Sequence, residues 1–238
     1  DPPSPVMATG TMPAVGTADF QFLPAVRALE LHALRTQIVP VEVEIAGQEK
    51  TVTVDECIRP ETTVETLAAL KPAFEAMADY PLDENGTTYR SMVLQKYPGL
   101  EITHMHHAGN SSGVVDGAGA VLLASPEYAK AHGMKPRARI RAMCNMGDCP
   151  TLMLNAPVPA ARKVLEKAGL TIADIDLFEI NEAFSVVAEK FIRDLKLDRD
   201  KVNVNGGAMA LGHPIGATGA LLIGTVLDEL ERRDQQFG

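Results

Sequence analysis

The chain has little cysteine, no long apolar run and no surplus of basic charge, and each shortage narrows what it can be. Cys57, Cys144 and Cys149 are its three thiols. An odd number of widely placed thiols builds no disulfide framework and fits a reducing compartment, so a cytoplasmic location is expected. The Cys144–Cys149 spacing suits neither a zinc knuckle nor a redox pair, and both read as ordinary core or strand thiols. No apolar stretch approaches bilayer length, so no membrane span is expected. No charged-then-apolar leader opens the sequence, so no secretory signal is expected. Asp and Glu outnumber Lys and Arg by 31 to 22, a net charge of −9, which argues against nucleic acid as a partner. A phosphorylated ligand in a local pocket stays compatible with that charge. Apolar residues are plentiful at 46%, enough to expect a buried core rather than disorder.

Residues 1–24, rich in Pro, Gly, Ala and Thr, read as irregular. Val26, Leu29, Leu31 and Leu34 predict a short helix over 25–36. Alternation from Ile38 to Ile45 predicts a strand with one wet face, turned at Ala46-Gly47-Gln48 into a hairpin partner over 50–54. Thr62-Thr63-Val64-Glu65 offers a helix cap ahead of Leu67 and Leu70. Residues 81–89 read as a polar surface excursion. From Leu100 onward strands and helices alternate, which predicts a layered α/β architecture. The strands fall over 102–105, 119–124, 138–146, 175–180 and 202–204. The second of these is apolar enough to be buried on both faces. Helices fall over 126–132, 158–168 (with Gly169 as C-cap), 182–195 and 220–230. No repeat of solenoid period is present. The ten methionines read as core filler. His104 and His106 share a strand face beside His107, but no carboxylate or cysteine completes a ligand set, and no metal is expected.

One stretch stands apart: Gly206-Gly207-Ala208-Met209-Ala210-Leu211-Gly212-His213-Pro214-Ile215-Gly216-Ala217-Thr218-Gly219. Glycine at this density serves positive φ or close backbone approach. His213 is held between Gly212 and Pro214 just ahead of an apolar helix. The free N–H groups of a helix start favour an anion or a developing oxyanion nearby. Two further polar runs sit at strand ends or helix starts, Ala108-Gly109-Asn110-Ser111-Ser112-Gly113 and Glu179-Ile180-Asn181-Glu182-Ala183-Phe184. Such junctions are where α/β folds place ligands. Asn181 either caps the following helix or fixes a water or a carbonyl.

These runs carry a resemblance. Asn181-Glu182-Ala183-Phe184 followed by the glycine and His213 stretch resembles the C-terminal half of the thiolases, acyltransferases that cleave 3-ketoacyl-CoA or condense two acetyl-CoA. Ala108 to Gly113 with Asp116-Gly117-Ala118 is similar to another signature of that family. Ile58-Arg59-Pro60, Thr62-Thr63 and Leu70-Lys71-Pro72-Ala73-Phe74 are similar to its loop domain. The likeness covers about residues 38–238, and such long ordered motifs do not arise by chance.

The resemblance implies a five-layer αβαβα sandwich, incomplete here, with an inserted loop domain. Residues 1–99 would be the loop domain, 100–127 the end of the first half and 128–238 the second half. His213 takes the place of the histidine that activates a nucleophilic cysteine. Asn181 takes that of the asparagine whose bound water completes an oxyanion hole. Ser112 falls where a serine meets the pantetheine arm of CoA, Ala183 and Phe184 beside the acyl and pantetheine path, and Lys71 and Phe74 along the CoA groove. The partners implied are CoA and acyl-CoA, as substrates rather than cofactors, and further copies of the chain in a homodimer or homotetramer. No metal or redox cofactor is called for. The basic run Lys130, Lys135, Arg137, Arg139 and Arg141 reads as a solvated strand face rather than a site for CoA phosphates.

The chain also departs from the family. None of its cysteines lies in the Cys-x-Ser-Gly setting of the family nucleophile, and the second, Cys-x-Gly-Gly cysteine is absent. Residues 76–99 resemble an insertion. The nucleophile is therefore expected outside these 238 residues. The alternative is a non-catalytic thiolase-like chain that binds CoA or pairs with a catalytic subunit.

Overall fold

The computed structural model describes residues 38–238, so the helix expected over 25–36 lies outside the described residues. The hairpin forms from β1 (Val41–Ile45) and β2 (Gln48–Val52), with Ile45 opposite Gln48. Its loop is two residues rather than the three expected. Ala46 and Gly47 both take positive φ, 51° and 78°, the twist that matches a tight hairpin. No wet and dry face develops: Val43 and Val52 are half-buried and their neighbours are exposed.

α1 (Val64–Ala68) starts where the threonines predict, with Thr63 as N-cap. The reciprocal partner is Thr66 rather than Glu65. α2 (Tyr89–Lys96) is a helix that sequence reading missed in a stretch taken as a polar excursion and an insertion. Its apolar residues form no stripe, and none of its side chains is buried. Its start is set by Thr88, whose hydroxyl accepts from Ser91 N while Ser91 Oγ accepts from Thr88 N. An ion pair of Arg90 with Asp79 at 2.7 Å holds it to the preceding turn.

The core lies in the second half of the sequence. α3 (Pro126–Ala131) is capped by Ser125, and α4 (Pro157–Ala168) closes on Gly169 at φ 68° as predicted. α5 (Ser185–Leu195) buries Ala188, Phe191, Ile192 and Leu195, one face at helical spacing, against Val158, Ile180 and Val202. α6 (Ala208–Leu211) is a single turn inside the glycine stretch. α7 (Thr218–Arg233) follows it.

The expected strands of the layered part shrink to little. Of 175–180 and 202–204 there remains one parallel bridge, Phe178 with Val202, around α5. Phe178 N donates to Lys201 O at 2.8 Å and Asn203 N to Phe178 O at 2.9 Å. This is the βαβ unit the alternation predicts, reduced to its smallest form. Segments 102–105, 119–124 and 138–146 form no strand. A strand exists only through a ladder, and among the described residues these segments have no ladder partner. Residues 119–124, expected to be buried on both faces, are exposed instead, Leu122 by 82%. Cys144 and Cys149 therefore sit on irregular backbone, both half-buried. The basic run is partly tied down. Arg137 pairs with Asp228 and Glu231 of α7 at 2.6 Å each, and Arg141 lies over the Phe237 ring.

Candidate active site

The three polar runs meet. Ser112 N donates to Ala183 O at 3.1 Å, Gly113 N to Ala208 O at 3.3 Å, and His213 N to Gly113 O at 2.9 Å. Ser111 and Phe184 form an isolated antiparallel bridge. The loop after His107 is thereby stapled between the Asn181 segment and the glycine stretch. Its own shape is set by buried Asn110, whose Oδ1 accepts from His107 N and whose Nδ2 donates to Met105 O.

His213 stands where these segments cross. Its Nε2 lies 3.3 Å from Asn181 Nδ2 and its Nδ1 lies 2.7 Å from Thr218 Oγ1. Asn181 is not a helix cap, because α5 begins four residues later behind Phe184. Its Oδ1 is buried and has no protein partner. Pro214 is not the first residue of the long helix. Its carbonyl closes the turn ahead of α7, accepting from Ala217 N at 2.7 Å and Thr218 N at 3.1 Å.

Beneath this pair lies a polar strut that sequence reading did not find. Glu182 is fully buried, and its carboxylate accepts from Asn203 Nδ2 and, at 3.2 Å, from Met209 N at the start of α6. Burial pushes its carboxyl up to about 7 against those two donors. Asn203 also grips the strand end, accepting from Ile180 N at 2.8 Å and donating to Ile180 O at 2.9 Å. One carboxylate and one amide so join the segment bearing Asn181 to the turn that leads to His213. A signal was available in two asparagines set among valines, Val202-Asn203-Val204-Asn205, where both amides prove to be buried in a turn. The glycines explain themselves here. A Cβ on Gly207 would stand 2.1 Å from the Glu182 carboxyl, and Gly212 has φ +91° with Val115 against it.

A cleft of about 350 Å³ opens beside His213, lined by Ser112, Val115, Asp116, Gly117, Pro214 and Ile215 among others. Ser112 and His213 thus face one cavity. Phe184 and Phe74 meet elsewhere, edge to face with ring centroids 5.9 Å apart, and the His106 ring lies 4.8 Å from Phe184. Ala73 N donates to His106 O, which ties the segment carrying exposed Lys71 and Phe74 to this cluster. Lys71, Phe74, Ala183 and Phe184 do not line the His213 cleft. The neighbouring histidines diverge: His104 lies near Arg90, and His107 Nδ1 accepts from Gly109 N. Among the described residues no group of His, Cys, Asp and Glu is placed to hold a metal ion. None of the three cysteines lines the cleft. Among the described residues no helix is long and apolar enough to cross a membrane.

The chain matches two family models, "Thiolase, N-terminal domain" over residues 23–78 and "Thiolase, C-terminal domain" over residues 134–238. It is 42% identical over 215 residues to a 3-ketoacyl-CoA thiolase of Klebsiella pneumoniae, covering 89% of this chain and 49% of that protein. It is 48% identical over 187 residues to the protein of the same name from Serratia proteamaculans, covering 77% and 42%. The chain therefore spans about half the length of the curated relatives it matches. Among solved structures it resembles human mitochondrial 3-ketoacyl-CoA thiolase, with TM-score 0.76 and 36% identity over 94% of this chain and 50% of that one. It likewise resembles the acetyl-CoA acetyltransferase of Bacillus anthracis, with TM-score 0.75 and 36% identity over the same shares. At those values it shares their α/β fold, of which it holds part.

Proposed function

We propose, since the chain belongs to the thiolase family, that it supplies the histidine–asparagine half of an acyl-transfer site. The complete enzyme moves an acyl group between acyl-CoA and CoA, by thiolytic cleavage of 3-ketoacyl-CoA or by the reverse Claisen condensation of acetyl-CoA. The observation that carries this reading is the meeting of His213 with Asn181 at 3.3 Å, beside a cleft that Ser112 also lines. A chain that only bound CoA would have no chemical use for this pair.

In the cleavage direction, a cysteine from outside these residues gives its proton to His213 Nε2, and its thiolate attacks the 3-keto carbon. The carbon–carbon bond between C2 and C3 then breaks. Acetyl-CoA departs as its enolate and takes a proton from a second cysteine, and the acyl group stays on the first sulfur as a thioester. The second cysteine, now a thiolate, takes the proton of the CoA thiol. The CoA sulfur attacks the thioester, and the first cysteine departs with the acyl–sulfur bond broken and takes its proton back from His213 Nε2. Negative charge gathers on a carbonyl oxygen in these steps. The protonated Nε2 and a water held by Asn181 are suited to receive it. The partnerless, buried Oδ1 of Asn181 supports that role, because a carbonyl oxygen there can accept from a water.

Ser112 meets the pantetheine arm in this reading. Ala183 and Phe184 border the acyl and pantetheine path, and Lys71 and Phe74 line the outer CoA groove. Residues 1–99 are then the loop domain, 100–127 the end of the first half and 128–238 the second. The exposed segments 119–124 and 138–146 find their ladder partners in the rest of the polypeptide. The enzyme works in the cytoplasm as a homodimer or homotetramer, in fatty-acid β-oxidation, without metal or redox cofactor. The test is thiolysis of acetoacetyl-CoA by the full-length polypeptide. His213→Ala abolishes turnover while CoA binding stays largely intact. Near-normal turnover by that variant would overturn the assignment.

A further inference from the structure

We propose that Thr218 is a positioning residue that locks neutral His213 in its Nδ1–H tautomer, so that protons enter and leave the imidazole at Nε2 alone. The hydroxyl of Thr218, first residue of α7, is buried and within reach of two groups. Thr218 Oγ1 donates to Pro214 O at 3.2 Å and lies 2.7 Å from His213 Nδ1. A hydroxyl has one hydrogen and two lone pairs. With the hydrogen on the Pro214 carbonyl, a lone pair faces Nδ1, and the close contact requires Nδ1 to carry the proton. Neutral imidazole has a single N–H, so Nε2 is then bare. The other side of the ring agrees, since Asn181 directs its Nδ2 amide at Nε2 from 3.3 Å. A chain of donors thus runs one way, from Asn181 through the ring and the threonine to the Pro214 carbonyl.

The same turn fixes the ring twice. His213 N is held by Gly113 O, and Pro214 O also accepts from Ala217 N and Thr218 N. The backbone that carries the histidine and the hydroxyl that orients its ring therefore belong to one turn. When Nε2 takes a proton, the Nδ1–H bond to Thr218 is unchanged, so the hydroxyl serves both charge states without moving. The kinetic consequence rests on the acyl-transfer reading above; the tautomer does not.

The experiment uses the full-length polypeptide. Long-range proton–nitrogen NMR correlations of the neutral His213 ring read the tautomer directly. Wild type shows Nδ1–H, Thr218→Val loses that preference, and Thr218→Ser keeps it. In thiolysis of acetoacetyl-CoA, Thr218→Val lowers kcat about 10-fold or more with KM for CoA within about twofold. Thr218→Ser restores most of the loss. An Nε2–H signal in wild type overturns the proposal without any variant having to fold. So does a Thr218→Val protein with wild-type tautomer and kcat. A wild-type protein inactive in thiolysis, yet with Nδ1–H lost only in the valine variant, supports the assignment to Thr218 and overturns the acyl-transfer reading instead.

Discussion

Asn181 and His213, 32 positions apart in sequence, meet side chain to side chain, Nδ2 to Nε2 at 3.3 Å. Neither could hold the contact unaided. Asn181 is placed by the strand end that Asn203 grips, and His213 by the Gly113 carbonyl and the Thr218 hydroxyl.

Removing the amide tests its share of the chemistry. Asn181→Ala in the full-length polypeptide should lower kcat for thiolysis about 100- to 1,000-fold, the range for loss of one oxyanion donor. KM for CoA should stay near wild type. A loss confined to KM would place Asn181 in substrate binding instead.

Glu182 makes stability depend on pH. Its folded-state value of about 7 lies above the ordinary 4.5, so the folded protein keeps a proton the unfolded chain has released. The contribution is fully present below about 4.5 and is lost as pH rises through about 7. Glu179, raised to about 8 by burial and then by the charge of Glu182, acts in the same direction. Denaturant unfolding of wild type and Glu182→Gln should show the wild type losing more stability than the variant between pH 5 and pH 8. Parallel curves would remove Glu182 as the source.

Gly207 has no room for a side chain. The Cβ of Gly207→Ala would stand 2.1 Å from the Glu182 carboxyl, which is itself held by Asn203 and Met209. Overpacking of this kind costs about 1–3 kcal/mol. A clear fall in Tm is expected, together with reduced thiolysis because the strut displaced is the one beneath Asn181 and His213. An unchanged Tm would mean that Glu182 yields freely.

Two of the three thiols, Cys57 and Cys149, should differ in reactivity. The Cys57 thiol is pushed up, chiefly by burial and then by Asp55. Backbone N–H bonds, that of Leu152 first, hold the Cys149 thiol below its ordinary value. Alkylation of the native protein near pH 7.5, followed by mass spectrometry, should mark Cys149 before Cys57. The reverse order would contradict those environments.

What the sequence disclosed was local. Thr63 as a cap and Gly169 as a helix end follow from single residues or short spacings. The three polar runs read as ligand-favouring junctions, but the contacts that join them come from the structure. What escaped depended on distant partners. α2 has no apolar stripe to betray it. Glu182 reads as the first charge of a helix over 182–195; the helix starts at Ser185, and the carboxyl is instead enclosed by Asn203 and Met209. Thr218 reads as one more residue of the glycine-rich stretch until the His213 ring is placed beside it. Residues 119–124 have the composition of a buried strand, but composition supplies no ladder partner.

The most direct test is acyl transfer onto the protein itself. Full-length wild type and His213→Ala would be incubated with labelled acetyl-CoA, quenched in acid and weighed intact. Wild type should carry one acetyl group on a cysteine outside residues 1–238, and the variant should carry none on the same timescale. Equal acetylation of both proteins would contradict His213 as the base that frees the thiolate.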